Sequence, residues 1–215
     1  MRKKSTLILL LVFSFLFQKS AIATTQTDTC FVVEIKRTIE SETDDVEERS
    51  NGTMSLSSSD IELVFDGTNG NQTVGLRFTD IALEPEAEIV EAYLQFTADE
   101  EVSNSFSNIK IEAEATDNAL IFENQNNNVN NRQRSNASVS WGIDSWMEPF
   151  ERGEKQKSPN LKSLIEETIN RPSWQSGNAL AFIITGIGNR STIAYDADPN
   201  RAAQLVIKVA YEQPD

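Results

Sequence analysis

The segment from residue 73 to residue 96 constrains the fold more than any other part of the chain, because apolar and polar side chains alternate along it twice. Its apolar positions are Val74, Leu76 and Phe78 in the first half and Ile89, Ala92, Leu94 and Phe96 in the second, with a proline-containing link between them. A period of two residues is the pattern of a half-buried β-strand. The segment therefore predicts two strands of a β-sheet core.

Similar alternation recurs along much of the chain, with turn-forming segments between the repeats. The other predicted strands cover residues 30–39, 53–56, 61–65, 109–115, 138–141, 179–184, 192–195 and 204–211. Strands at this spacing without alternating helices favour two packed antiparallel sheets. We predict an all-β, antiparallel two-sheet β-sandwich with jelly-roll topology. An immunoglobulin-like sandwich is the alternative, although such domains usually have about 100 residues and an intersheet cysteine pair that this chain lacks.

One short α-helix is predicted near residues 160–170, where apolar residues follow helical spacing. These residues are Leu161, Leu164, Ile165 and Ile169. Ser158 is the predicted N-cap and Pro159 the residue of the first turn. Arg171 and Pro172 end the helix, since a residue before proline disfavours helical backbone angles.

Two polar segments are predicted to be loops. Residues 40–50 are acidic and show no apolar periodicity. Residues 123–136 contain seven asparagines and two arginines but almost no apolar side chain. Such a segment buries too little surface to offset the entropy lost on ordering, so we expect a long exposed loop.

The first 23 residues predict a secretory signal peptide. Three basic residues precede the apolar run of residues 7–17, and Ala21 and Ala23 supply small side chains for cleavage after Ala23. An uncleaved membrane anchor is the alternative, but the run is shorter than the roughly 20 residues that span a bilayer, so cleavage is favoured and no membrane insertion is expected after it. The expected product is one domain, residues 24–215, that is secreted, periplasmic or at the cell surface.

Charge and cysteine content restrict the partners. The chain has 33 acidic and 19 basic residues, a net charge of −14, which disfavours nucleic acid and anionic lipid. Its single cysteine, Cys30, rules out an intrachain disulfide. Cys30 is therefore a free thiol or a link to a partner protein at the cell surface.

The absence of histidine restricts the chemistry. A chain without histidine has neither Ser/His/Asp or Cys/His nucleophilic sites nor His-ligated zinc. Paired carboxylates remain, and these suffice for a polysaccharide lyase or hydrolase. We expect a non-catalytic protein and keep that enzyme as an alternative.

The order of segments resembles the jelly-roll modules of secreted bacterial proteins called DNRLRE domains, together with related carbohydrate-binding-like domains. The similar segments are residues 74–78, 92–96, 137–141, 161–174, 177–180 and 203–209. Glu86 departs from the pattern, because those modules often have glycine at this place in the link. The resemblance implies a secreted module that binds polysaccharide or a surface glycan.

Aromatic side chains are the expected platforms for a sugar ring, since a flat ring packs against the CH groups of a pyranose. Trp146 lies in an irregular region and Tyr195 lies near a loop, so these two are the predicted ligand-binding residues. Trp141 and Trp174 follow a strand and the helix, and we expect both in the core. Recognition is expected in the loops after Leu56, Ala115 and Trp141.

Calcium is a predicted cofactor because oxygen ligands are plentiful, and a calcium site needs six to eight of them. The chosen ligands are Asp45, Glu48, Asp60 and Glu62. The preferred function is thus a non-catalytic glycan-binding module with structural calcium. A structural or adhesive surface protein that binds another protein is the first alternative.

Overall fold

A computed structural model describes residues 30–99 and 105–212. The predicted signal peptide lies outside these residues. The described strands are β1 (Cys30–Thr38), β2 (Asp45–Arg49), β3 (Met54–Ser55), β4 (Asp60–Asp66), β5 (Gly70–Phe78), β6 (Glu88–Gln95), β7 (Asn108–Ala113), β8 (Val139–Gly142), β9 (Leu180–Ile187), β10 (Asn189–Ile193) and β11 (Gln204–Glu212). One α-helix, α1 (Lys162–Ile169), and a 3-10 turn, Glu154–Gln156, complete the described elements.

Two antiparallel sheets form the fold. The small sheet has the order β1-β11-β6, and the large sheet has the order β10-β4-β5-β9-β7-β8. Strand β2 pairs with β5 in the register Val46↔Gly75, and β3 pairs with β2. The predicted all-β sandwich with two antiparallel sheets and one helix is confirmed. None of the described helices is long and apolar enough to cross a membrane.

The main core lies between the sheets and contains the inward side chains of residues 73–96. Leu76, Phe78 and Leu94 are buried, and Phe78 packs edge-on against Phe182 with ring centroids 6.1 Å apart. Trp141 stacks on Phe96 at 5.8 Å. Full burial of such a side chain stabilises the fold by about 1.5–3 kcal/mol, so the alternation identified the residues that hold the sheets together.

Helix α1 packs Leu164, Ile165 and Ile169 into the core, but the predicted N-cap is wrong. Ser158 Oγ instead accepts a hydrogen bond from the backbone N–H of Leu94 in β6. Asn160 Oδ1 accepts one from the N–H of Lys162, where the helix begins. Ser158 lies too far before the start of α1 to cap it, because the chain first runs along the edge of β6. There the Ser158 N–H donates to the Leu94 carbonyl.

The prediction of a loop over residues 40–50 is also wrong, because β2 forms within it. Asp44, Asp45, Glu47 and Glu48 are all at least 96% buried. Periodicity cannot reveal such a strand, since acidic residues point to both of its faces. Burial is tolerated because every one of these carboxyl groups has hydrogen-bond partners, as in the 2.7 Å ion pair between Asp44 and Arg77.

A second apolar cluster covers the outer face of the large sheet, which is the face turned away from the small sheet. Phe122 and Val129 pack there on Val46 and Ile183. Gly75 makes room for this contact, because a Cβ atom at this position would lie 2.6 Å from Cζ of Phe122. The segment predicted to be a long exposed loop is thus attached to the sheet by the buried side chain of Val129 and by that of Phe122 just before it.

The start of β1 in the small sheet is exposed. Phe31 is 47% exposed and stacks on Tyr211 of β11, with ring centroids 5.7 Å apart. Cys30 is an exposed free thiol.

Candidate functional site

Residues 123–136, the asparagine loop, are fixed to the large sheet by a buried carboxylate. Glu48 is fully buried in β2. One of its oxygens accepts hydrogen bonds from the backbone N–H groups of Val129 and Asn130, at 2.8 and 2.9 Å, and the other accepts one from the Asn130 side-chain amide. Thr73 of β5 donates to Asn130 Oδ1 at 3.1 Å. The middle of the loop is therefore held by β2 and β5.

Arg132 fixes the rest of the loop. Its guanidinium lies 3.9 Å from the centre of the Phe122 ring and forms a 2.8 Å ion pair with Glu114. The same group donates to the backbone carbonyls of Leu120, Ile121 and Asn128. Burial raises the pKa of Glu114, while the charge of Arg132 acts in the opposite direction. Arg132 is thus used to order the loop.

The ordered loop lines an open cavity of ≈ 280 Å³, the asparagine-loop cavity. Five amide side chains line it: Gln125, Asn126, Asn127, Asn128 and Asn131. Leu120 and Ile121, 75% and 45% exposed, form its apolar part, and Glu114, Glu123 and Arg132 add charged groups. An amide both donates and accepts hydrogen bonds, so the lining matches a ligand with hydroxyl groups.

The amides of the cavity have two different roles. Asn128 Oδ1 accepts a hydrogen bond from the backbone N–H of Glu123 at 3.1 Å, so this side chain shapes the loop. The side-chain amides of Gln125, Asn126 and Asn131 form no hydrogen bond with any of the described residues. These three amides are available to a ligand.

The four predicted calcium ligands do not converge. Glu48 faces the asparagine loop, whereas Asp45 points to the opposite side of β2, where Oδ2 accepts a hydrogen bond from the N–H of Tyr195 at 2.8 Å. Asp60 accepts one from Ser191 Oγ at 2.8 Å. Within residues 30–99 and 105–212, no group of three or more acidic, histidine or cysteine residues is arranged to hold a metal ion. Calcium binding stays a prediction.

Glu62, the fourth of those residues, forms a pair with Glu47 that the sequence did not predict. Glu47 Oε1 accepts hydrogen bonds from the backbone N–H of Glu62 at 2.8 Å and from Gln72 Nε2 at 3.1 Å. Burial, followed by hydrogen bonding and charge repulsion from Glu62, raises the pKa of Glu47 to about 10. Carboxyl groups in direct contact are closer than the roughly 5–10 Å separation used in glycoside hydrolysis, so this pair does not have that geometry.

Asp45 is also shifted towards its neutral form. Burial raises its pKa to about 7, and repulsion from Asp196 and Asp44 adds to the effect, while the hydrogen bond from Tyr195 opposes it. Asp45 and Glu47 both lie on the inner side of β2, away from the asparagine loop.

The structure places the two predicted aromatic platforms away from the asparagine-loop cavity. Trp146 is only 1% exposed, and its Nε1 donates to the carbonyl of Lys155 at 3.0 Å. The surrounding irregular chain folds over the indole, so Trp146 offers no ring face to a ligand. Tyr195 is half-buried against the main core. The predicted burial of Trp141 and Trp174 is confirmed.

The cavity residues were missed because asparagine-rich composition alone predicts disorder. Two signals were present: the apolar residues at positions 119–122 and Val129 interrupt the polar tract, and two arginines lie within it. Glu48, which binds Val129 and Asn130, and Glu114, which pairs with Arg132, lie outside the tract, so the sequence did not reveal these contacts.

No protein-family model matches the chain. No curated protein matches it either. The resemblance to DNRLRE domains stays a prediction.

Proposed function

We propose that this protein is a secreted, non-catalytic binding module whose asparagine-loop cavity takes a neutral saccharide. The observation that supports the proposal is the ordering of a polar cavity by buried and half-buried groups. Glu48 and Arg132 hold the loop in place, while Gln125, Asn126 and Asn131 keep their amides unbonded within the described structure.

The chemistry of the lining favours a sugar. Amide groups pair with hydroxyls in both directions, and Leu120 and Ile121 offer apolar contact to the CH groups of a sugar ring. Because the loop is already ordered, binding costs less conformational entropy than it would in a flexible loop.

Charge favours a neutral ligand over an anionic one. The net charge of the chain is −14, and Glu114 and Glu123 line the cavity itself. A uronic acid or sulfated sugar would be repelled by this field.

The test is affinity electrophoresis and array binding against neutral polysaccharides, including β-glucan, mannan, galactan and xylan. We expect retardation by at least one of them. The combined variant Gln125→Ala, Asn126→Ala and Asn131→Ala should weaken binding about ten-fold or more, since a hydrogen bond contributes about 0.5–1.5 kcal/mol. The control is Gln133→Ala, which removes an amide of the same loop outside the cavity.

Two outcomes contradict the proposal: binding to none of the polysaccharides, or binding by the triple variant as tight as by Gln133→Ala. Running each assay with calcium and with a chelator also tests the calcium prediction. A protein partner linked through Cys30 and a carboxylate-based enzyme stay as the alternative predictions.

A further inference from the structure

A second depression lies beside β4 and the start of β5. This phenylalanine groove has a volume of ≈ 340 Å³, and its lining includes Phe65, Asn71, Phe106, Ile187 and Asn189. Phe65, Phe106 and Ile187 are 43%, 75% and 52% exposed. None of the described residues that line the groove is charged.

The groove and the asparagine loop share the outer face of the large sheet. Along β5, residues 71, 73 and 75 point to the same side because side chains alternate along a strand. Gly75 lies under Phe122 of the loop cluster, Thr73 donates to Asn130 of the loop, and Asn71 lines the groove. The face therefore continues from the loop to the groove along a single strand.

Neighbouring strands support the same placement. In β9, Ile183 packs under the loop and Ile187 lines the groove, and these residues pair with Glu112 and Asn108 of β7. The two ends of this face are the asparagine-loop cavity and the groove. In β5 and in β9, the strand position under the loop cluster is four residues from the groove, which is about 13 Å at 3.3 Å per residue. One sugar ring is shorter than this distance, so a ligand that reaches both ends is a chain of several units.

The chemistry of the two ends is complementary. Amides dominate the asparagine-loop cavity, whereas aromatic rings dominate the groove, where Phe65 and Phe106 can stack on the CH faces of successive sugars. The cations between the ends are already paired: Lys110 and Arg134 both contact Glu112, at 3.0 and 2.9 Å.

Resting on the function proposed above, we infer that the outer face of the large sheet binds a linear, neutral polysaccharide as an extended chain. The asparagine-loop cavity holds one end of the bound segment and the phenylalanine groove holds sugars further along. The ligand is thus a polymer rather than a free monosaccharide or the terminal sugar of a branched glycan.

Chain-length dependence tests the inference. Calorimetric titration would use oligosaccharide ladders of two to eight units from the β-glucan, mannan, galactan and xylan series. We expect affinity to rise about ten-fold or more between two and six units and then to level off. The double variant Phe65→Ala and Phe106→Ala should remove this gain but change disaccharide binding less than about two-fold.

Phe31→Ala is the matched control, because Phe31 is a comparably exposed phenylalanine on the small sheet. The affinity of this variant should depend on oligosaccharide length as it does for the unmodified protein. All of the replaced rings are exposed, and thermal melting confirms that each variant is folded.

The outcomes separate this inference from the proposed function. Binding that is independent of chain length, or unaffected by loss of Phe65 and Phe106, overturns the extended site and leaves saccharide binding at the cavity intact. Absence of binding to every ladder and polymer overturns both. Length-dependent binding that persists in the triple amide variant but is lost with the two phenylalanines overturns the cavity as an end of the site.

Discussion

At the scale of single residues, Gly75 and Glu48 decide whether the asparagine loop is ordered. Gly75 leaves space on β5 for the Phe122 ring, and Glu48 satisfies three donors of the loop. Neither residue lines the asparagine-loop cavity. The ligand binding proposed for this loop would therefore depend on strand residues that lie outside the cavity.

Gly75→Ala should destabilise the protein by about 1–3 kcal/mol, because the new methyl group overpacks against Phe122. Chemical denaturation measures this change, and hydrogen exchange should rise in residues 119–136. Gly67→Ala is the control: a Cβ there meets no atom within 4 Å, so the expected change stays within about 0.5 kcal/mol. Equal stability of the two variants would contradict the packing of Phe122 on β5.

The burial of a side chain was predicted correctly where the alternation of apolar and polar residues along a strand determines it. Val74, Leu76 and Phe78 are buried as their alternation indicates. Trp146 could not be placed, because its burial depends on the carbonyl of Lys155 and on how an irregular segment folds back. Glu48 was selected for its oxygen atoms, yet those atoms bind backbone N–H groups 81 and 82 residues away.

At the scale of elements, Asn160 connects the helix to the small sheet. Its Oδ1 accepts hydrogen bonds from the N–H of Ala92 in β6 and from the N–H of Lys162 in α1, both at 3.0 Å. One side chain thus sets the start of α1 and its position against the strand.

Asn160→Ala should lower the free energy of unfolding by about 1–3 kcal/mol, because the backbone N–H groups of Ala92 and Lys162 lose their acceptor. A shift in the urea midpoint measures it. Asn200→Ala is the comparison, since the one hydrogen bond that its exposed side-chain amide forms with the described residues is to the nearby Asp198. The assigned role of Asn160 would be refuted by midpoints that coincide for the two variants.

Elements were predictable when their apolar face was visible in the sequence. Strands β5, β6 and β11 and the helix were identified in this way. Strand β2 was not, because its acidic residues are buried through partners in β4, β5 and two loops. The phenylalanine groove was also missed, since Phe65 and Phe106 become neighbours only when the large sheet is assembled.

At the scale of the whole molecule, buried carboxyl groups link stability to pH. Asp45 has a pKa of about 7 in the folded protein, against an ordinary value of 3.8, and the pKa of Glu47 is raised to about 10. A raised folded-state pKa gives stabilisation that is complete below the unfolded pKa and is lost as pH rises through the folded value. Lys208 and Lys157 lower the pKa of Glu91, so this residue makes stability rise with pH. That effect is confined to more acidic pH.

The melting temperature should therefore fall as the pH rises from 5 to 8 at constant ionic strength. Asp45→Asn should reduce this fall, because an amide oxygen still accepts the hydrogen bond from Tyr195 but does not ionise. Glu123→Gln removes an exposed carboxylate and should keep the slope of the unmodified protein. A melting temperature that rises from pH 5 to 8 would contradict this prediction. The same slope in Asp45→Asn as in the unmodified protein would show that Asp45 does not cause the fall.

The position of Cys30 has a practical consequence for studying the molecule. It is the only cysteine of the chain, its thiol is exposed, and it begins β1 in the small sheet, across the sandwich from the asparagine loop and the phenylalanine groove. Coupling through this thiol to a maleimide-coated sensor would attach every copy in one orientation. The immobilised protein would then present its large sheet to flowing polymer, without a tag or an engineered attachment point.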